Sequence, residues 1–308
     1  MKILSQAPCR ISLFGGGTDV NPYAEKYGGV VFNMAINIRQ KVELDTKSIE
    51  HEWLPDDNTD FINAFLEPYR VDKCGLKHTF DGKIESGLGS SASLAVALIG
   101  VVNRAGDVAM TKDQIADMAW NIEVNRLGLF GGRQDQYSAV YGGVNVMEFG
   151  NNVKVTPLSP SFIQPLLPYL ILFHTGKNRR SGKIQNEFKE LSKKQVEALD
   201  GIKQLCYEGV SAIADKDVLK VGKLLDIAWK LKKMSNPLST NNKIDSIYKT
   251  AMKNGAMGGK IMGAGGGGHI LFVCSPDKQE NLKEVLLTLD CKWVDFGIDY
   301  QGLETRII

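Results

Sequence analysis

The chain has 308 residues, 43% of them hydrophobic, which is enough for two domains with a substantial core. Its formal net charge of only +2 argues against nucleic acid or an anionic membrane as a partner. The five cysteines show no CxxC or Cys/His spacing, which favours reduced thiols over a zinc site. The N-terminus is typical of a strand and no apolar run approaches the roughly 18 residues of a membrane span, so we expect a soluble, cytoplasmic protein.

In the first half of the chain, strands precede helices. Apolar runs predict strands over 11–14, 30–36 and 40–44. The polar, proline-punctuated region 49–80 allows no assignment. One helix is predicted after Ser91, and a second begins at Thr111, which forms a capping-box pattern with Gln114.

Prolines 160, 165 and 168 crowd a segment that we interpret as the link between two domains, 1–165 and 166–308. Beyond it the pattern predicts a strand at 169–174 and a helix ending near Gly255. Further helices are predicted over 181–205, 217–234 and 277–289, and further strands over 259–262 and 270–274 and around Trp293 and Ile298. Strands mixed with segregated helices predict an α+β fold in two layers.

Glycine-rich segments occur at three places, 15–19, 87–92 and 263–268, each at the end of a predicted strand or the start of a predicted helix. Glycine lets the backbone approach a ligand closely. A helix N-terminus adds unpaired N–H groups and the positive end of its dipole, which suit a phosphate. The central segment is not a common P-loop, because no Gly-Lys-Ser/Thr follows it. Together the segments predict convergence on one anionic ligand.

In order and spacing, these segments resemble the three signature motifs of the GHMP kinases, the family of galactokinase, homoserine kinase, mevalonate kinase and phosphomevalonate kinase. The resemblance covers nearly the whole chain. It implies a two-domain α+β fold with the nucleotide and substrate between the domains, ATP bound by the N-terminal domain, and Mg²⁺ as the metal. It also implies that ATP is bound by Gly87, Leu88, Gly89, Ser90, Ser91 and Ala92.

Asp135 lies among glycines and glutamines in the sequence FGGRQDQY. From the residues alone, a turn aspartate that bonds local backbone is the favoured interpretation. The resemblance implies instead that Asp135 lies beside the hydroxyl that is phosphorylated. It also implies that Arg10 pairs with Asp135 and stabilises charge on the migrating phosphoryl group. We therefore expect both residues to be catalytic, with Asp135 either taking the proton or positioning the hydroxyl.

Glu123 lies at the edge of the apolar stripe of the helix that begins at Thr111. It could pair with Arg126, three residues later on the same helix. The resemblance implies instead that Glu123 is a magnesium ligand with Ser91 as its partner. Since Mg²⁺ prefers oxygen ligands and keeps several waters, one carboxylate, one hydroxyl and the ATP phosphates suffice.

Substrate contacts are expected from glycine-rich and basic segments, at Gly17, Thr18, Asp19, Lys177, Arg179, Arg180, Gly265 and Gly266. Asp19 matches a sugar-binding aspartate of galactokinases, but Gly16-Gly17 replaces the Glu-His pair that galactokinases carry before it. That departure counts against galactose. The basic residues, with Lys183 beside them, would suit a second phosphate, or they form the solvated start of a helix.

The segments around Asp19, Asp135 and Arg179 resemble those of the GHMP kinases that phosphorylate the anomeric hydroxyl of D-glycero-D-manno-heptose 7-phosphate. This resemblance implies a small-molecule sugar phosphate substrate in nucleotide-activated heptose biosynthesis. Two alternatives stay open: a kinase for a free sugar of the fucose or arabinose type or for another alcohol, and a non-catalytic sugar- and ATP-binding regulator. The complete set of predicted catalytic and metal residues argues against the regulator. The oligomeric state is left open.

Overall fold

A computed structural model describes residues 1–55, 57–71, 73–82, 87–106, 109–176 and 190–308. Within these ranges, seven strands form a large sheet and four form a smaller one. The large sheet contains β1 (Lys2–Phe14), β2 (Gly29–Asp45), β3 (His51–Glu52), β4 (Gly75–Phe80), β5 (Val144–Phe149), β6 (Val153–Leu158) and β11 (Glu304–Ile307). The smaller sheet contains β7 (Leu170–His174), β8 (Ala256–Ile261), β9 (His269–Cys274) and β10 (Lys292–Val294).

The helices of the described ranges are α1 (Tyr23–Tyr27), α2 (Thr59–Leu66), α3 (Ser90–Ala105), α4 (Lys112–Asn121), α5 (Gln134–Tyr141), α6 (Pro160–Ile163), α7 (Lys193–Ala214), α8 (Val218–Ser235), α9 (Asn242–Lys253) and α10 (Pro276–Leu287). Short 3₁₀ turns lie at Glu67–Tyr69, Leu167–Tyr169 and Pro237–Ser239, and a π-helical turn at Ile122–Arg126 follows α4. Among these helices, none has the length and apolar character needed to cross a bilayer.

The long strand β2 is the spine of the large sheet. Along one edge it pairs with β1, and along the other it pairs first with β5, over Gly29–Met34, and then with β4, over Gln40–Asp45. These pairings are antiparallel. The last strand of the chain, β11, pairs antiparallel with the outer edge of β1, so the C-terminal residues complete the sheet that the N-terminal residues begin.

Two hydrophobic clusters place the sheets and helices relative to each other. One lies between the large sheet and helices α2 to α5, with the apolar residues of α3 at its centre. The other joins the two sheets, because Phe14 and Phe32 of the large sheet share it with Leu172 and Val273 of the smaller one. The strand-end loops at this seam are therefore held next to each other by a common core.

The predicted α+β fold is confirmed, and several elements differ in extent from their predictions. The strands predicted at 30–36 and 40–44 form one continuous strand, β2. The predicted strand around Ile298 is reduced to a single bridge with Ile36. Within the described residues, the helix predicted over 181–205 begins at Lys193, where Ser192 and Gln195 form a capping box. The domain division at 165–166 stays a prediction.

Candidate active site

Arg10 and Asp135 form a bidentate ion pair at the centre of the site. Arg10 on β1 donates from Nε to Oδ1 and from Nη2 to Oδ2 of Asp135, both at 2.7 Å. Its third contact runs from Nη1 to the Gly87 carbonyl, at 2.9 Å. Arg10 is only 4% exposed, whereas the Asp135 side chain, on the first turn of α5, keeps 26% of its surface open. The pairing expected between these residues is therefore present, with one partner facing the solvent.

The glycine loop before α3 lies against this ion pair. Gly89 has φ +76° and precedes the first residue of the helix, so no side chain caps the N–H groups of the first turn. A Cβ at Gly89 would lie 3.2 Å from Oδ2 of Asp135. The bare helix start and the carboxylate are therefore adjacent, so an anion bound by the N–H groups of the first turn would lie beside Asp135.

The C-terminal glycine segment meets the same loop. Gly263 has φ +61°, and a Cβ there would lie 2.7 Å from the Gly87 carbonyl oxygen. Gly266 is hydrogen-bonded to the residues that precede α9. Its N–H donates to the Ser239 carbonyl at 2.8 Å, and its carbonyl accepts from the Asn241 side chain at 3.0 Å. The structure thus brings two of the three glycine segments into backbone contact.

Glu123 is buried beside the start of α3. Ser91 donates from Oγ to Oε1 of Glu123 at 2.8 Å, and Gln136 donates from Nε2 to Oε2 at 2.6 Å. The side chain is in the π-helical turn that follows α4, and the residue is 6% exposed. Burial raises the Glu123 pKa to about 7. The alternative pairing with Arg126 is wrong, because Arg126 pairs with Glu67 at 3.0 Å.

The pair of Ser91 and Glu123 fits a magnesium ion. A buried carboxylate whose hydrogen-bond partners are a hydroxyl and an amide has no positive charge to balance it, and a divalent cation would supply one. No group of three or more potential ligating His, Cys, Asp or Glu side chains occurs in the described residues. The pair offers one carboxylate and one hydroxyl oxygen, and nucleotide phosphates would supply further ligands.

Asp19 lies in the site with its carboxylate already bonded. Oδ1 accepts from the Gly17 N–H at 3.1 Å and from Nε2 of Gln134 at 2.8 Å, and Oδ2 accepts from the Gln134 N–H at 3.4 Å. Asp19 is 4% exposed, and burial, followed by the charge of Asp135, raises its pKa to about 6. The aspartate therefore joins the first glycine segment to the start of α5.

Thr18 is wholly buried, and its hydroxyl is hydrogen-bonded to the main chain of Gly15 and Val30. This geometry favours a role in shaping the loop. Lys177, Arg179 and Arg180, with Lys183, lie outside the described residues. Their proposed contact with a phosphate stays a prediction.

Sequence reasoning missed four polar side chains of this site: Gln134, Gln136, Lys232 and Lys260. The two glutamines flank Asp135 in the sequence. Gln134 donates a hydrogen bond to the Asp19 carboxylate, and Gln136 donates one to the Glu123 carboxylate. Lys260 carried a usable signal, since it is a charged residue inside an apolar strand. Lys232 is one of several lysines on α8, and its pattern is typical of a solvated face.

Models of the GHMP kinase N-terminal and C-terminal domains match 59–143 and 210–289 of the chain. A relative that spans the chain decides the assignment. The D-glycero-alpha-D-manno-heptose 7-phosphate kinase of Campylobacter jejuni is 32% identical, over 98% of both chains. The chain belongs to the GHMP kinase family.

Other members of the family agree with this assignment. The galactokinase of Pyrococcus furiosus is 25% identical over 93% of both chains. The crystal structure of a D-glycero-D-manno-heptose 1-phosphate kinase from Bacteroides thetaiotaomicron superposes with a TM-score of 0.79, at 26% identity over 99% of both chains. GHMP kinases use ATP as the phosphate donor.

Proposed function

We propose that this GHMP kinase transfers the γ-phosphoryl group of ATP to the anomeric hydroxyl of D-glycero-D-manno-heptose 7-phosphate. The observation that carries the proposal is the partly open Asp135 carboxylate, fixed by Arg10 and adjacent to the start of α3. The heptose as acceptor is supported by the full-length similarity to the Campylobacter jejuni enzyme. We place the reaction in the cytoplasm and its ATP-binding residues in the domain formed by 1–165.

In the proposed reaction the anomeric oxygen attacks the γ-phosphorus, the bond to the β-phosphate oxygen breaks, and ADP leaves. The hydroxyl proton passes to Asp135, or to water while Asp135 holds the hydroxyl in line. Arg10 keeps the carboxylate in place and stabilises negative charge on the group in transfer. The first turn of α3 binds phosphate oxygens through its N–H groups.

Mg²⁺ would be held by Glu123 and Ser91 and would neutralise phosphate charge when bound. Both side chains already converge in the structure, so this chain needs no rearrangement of the pair to offer two oxygen ligands. Arg179, Lys177 and Arg180 remain proposed contacts of the sugar's own phosphate, and Gly17, Asp19, Gly265 and Gly266 remain proposed contacts of the sugar.

The position of the phosphate on the acceptor needs a direct test, because one relative is named for the 7-phosphate and another for the 1-phosphate. A coupled ADP-release assay would compare heptose 7-phosphate, heptose 1-phosphate, the free heptose, fucose, arabinose and galactose. We expect heptose 7-phosphate to give the highest kcat/KM. Faster turnover of heptose 1-phosphate or of a free sugar would overturn the proposed substrate. The absence of ADP release with every acceptor would favour a non-catalytic regulator.

A further inference from the structure

Two lysine side chains at the seam between the sheets make their hydrogen bonds to main-chain carbonyls. Lys232 on α8 donates from Nζ to the carbonyl oxygens of Gly263 and, at 3.3 Å, Ile261. Lys260 on β8 donates from Nζ to the carbonyls of Ser12 at 2.9 Å and Leu13 at 3.2 Å. In the part of the chain that the structure describes, neither ammonium group has a carboxylate within ion-pair distance.

Both lysines lie close to the candidate phosphoryl-transfer centre. Ser12, which accepts from Lys260, is two residues beyond Arg10 on β1. Gly263, which accepts from Lys232, is in backbone contact with Gly87 of the loop before α3. The ammonium groups therefore lie where α8 and β8 meet β1 and the loop before α3, close enough to Arg10 for its charge to lower both pKa values.

The surroundings of the two lysines are electropositive. Burial, then the charges of Lys260 and Arg10, hold the pKa of Lys232 well below its usual value, and the charge of Asp19 opposes this shift. Burial likewise lowers the pKa of Lys260 to about 8. Cations buried without counterions are costly, and carbonyl dipoles compensate only part of that cost. A bound dianion would compensate the rest.

Of the two, Lys232 is placed to touch such an anion. An ammonium group has three N–H donors, and two of those of Lys232 are used by Ile261 and Gly263. Lys232 is intermediate in exposure as a residue, although its ammonium group is largely surrounded by protein, whereas Lys260 is 5% exposed and contributes mainly through its field.

We propose that Lys232 binds phosphoryl oxygens at this seam, with Lys260 reinforcing the positive field around them. The identity of the bound group rests on the proposed function. It is either the acceptor's own phosphate or the phosphoryl group in transfer, and both present the same anionic oxygens to the ammonium.

The test compares Lys232→Met, Lys232→Arg and a matched control, Lys230→Met. Lys230 is on the same helix, 65% exposed and paired with Asp226 at 2.7 Å. Steady-state kinetics would give kcat and KM separately for heptose 7-phosphate, the free heptose and ATP. We expect Lys232→Met to lower kcat/KM for the phosphorylated sugar roughly 10- to 100-fold, Lys232→Arg to restore part of it, and Lys230→Met to match the parent.

The two sources of the phosphoryl group give different patterns. If Lys232 binds the acceptor's phosphate, the loss is confined to the phosphorylated sugar and the preference over the free heptose disappears. If it binds the group in transfer, kcat falls by a similar factor with both acceptors. Parent-like kinetics in Lys232→Met would overturn the proposal. So would a rise in KM for ATP alone with a lower melting temperature, because this pattern indicates only mechanical support of the Gly263 loop.

A second measurement separates this inference from the proposed function. Should no sugar phosphate be turned over, the function fails, but calorimetry with pyrophosphate still tests the lysine. We expect the parent to bind pyrophosphate roughly 10-fold more tightly than Lys232→Met. Equal affinities would contradict the inference, whatever the natural acceptor is.

Discussion

At the scale of single residues, the site depends on one ion pair whose two side chains differ in solvent exposure. Arg10 is buried and also bonded to the Gly87 carbonyl, whereas Asp135 is partly open. Asp135→Asn keeps an amide oxygen as a hydrogen-bond acceptor for the guanidinium, but it leaves the buried Arg10 cation without its counterion, which costs some stability. Removing Arg10 instead would leave the carboxylate without its cation and open a cavity next to the loop. Asp135 is therefore the better residue for separating chemistry from folding.

Asp135→Asn is expected to reduce kcat by roughly 10²-fold or more, because an amide neither takes the proton nor holds the hydroxyl as a carboxylate does. The variant should still fold and bind ATP, with a lower melting temperature because the buried Arg10 loses its counterion. Near-normal kcat in a folded variant would remove Asp135 from the mechanism and restore its interpretation as a turn residue.

Glu123→Gln and Ser91→Ala are each expected to raise the magnesium concentration for half-maximal activity roughly 10-fold, with rescue at high magnesium. The two side chains act on one ion, so the double variant should show less than the sum of the two single effects. Arg126→Ala is the control, since Arg126 pairs with Glu67 at 3.0 Å. Magnesium titrations of both variants that overlay the parent's would exclude these ligands.

Asp19 predicts a pH dependence of the free energy of unfolding. Because burial raises its pKa to about 6, the folded chain keeps a proton on Asp19 at pH values where the unfolded chain, with a pKa of 3.8, has lost it. The stability due to this group is thus fully present below pH ~4 and is lost as the pH rises through 6, by roughly 3 kcal/mol.

Denaturant unfolding of Asp19→Asn and the parent at several pH values checks this dependence. The difference in free energy, variant minus parent, should increase by roughly 3 kcal/mol between pH ~4 and ~7. Groups that titrate equally in both proteins cancel in this difference. A constant difference across the range would show that Asp19 titrates alike in both states.

At the scale of elements, the glycine segments and helix caps were predictable because each depends on a local pattern. Thr111 and Gln114 form the predicted capping box of α4, and α3, which was predicted to follow Ser91, begins at Ser90. The π-helical turn that presents Glu123 was not predictable. It shifts the hydrogen-bond register after α4 by one residue, and no residue type in this turn signals that change. The continuity of β2 was also missed, since its polar middle resembles a break.

Gly263→Ala is expected to separate the two glycine loops. An alanine at φ +61° is strained, and its Cβ would lie 2.7 Å from the Gly87 carbonyl oxygen. We expect a loss of about 1–3 kcal/mol in unfolding free energy and a roughly 10-fold higher KM for ATP. Gly150→Ala is the matched control, because a Cβ there meets nothing within 4 Å. Equal KM values for both variants would show that this contact does not shape the ATP site.

At the scale of the whole molecule, the fold class followed from the order of strands and helices, but the partners of the strands did not. The pairing of β11 with β1 joins Glu304 to Gln6, and no local pattern in either strand names the other. The roles proposed for Asp135 and Glu123 came from the family resemblance, since the residues alone favoured a turn aspartate at Asp135 and allowed a helical ion pair at Glu123. Lys260 stood out as a charged residue inside an apolar strand, but only the tertiary structure brings it and Lys232 together at the seam.

Phosphorus-31 NMR of the product tests the central claim, transfer to the anomeric oxygen of a sugar phosphate at the Asp135 site. With heptose 7-phosphate, ATP and magnesium, we expect one new resonance coupled to the anomeric proton, the retained 7-phosphate signal, and one ADP per product. Asp135→Asn should form this product roughly 10²-fold more slowly. A phosphate on any other hydroxyl, or ATP hydrolysed to ADP and inorganic phosphate without a phosphorylated sugar, would contradict the claim.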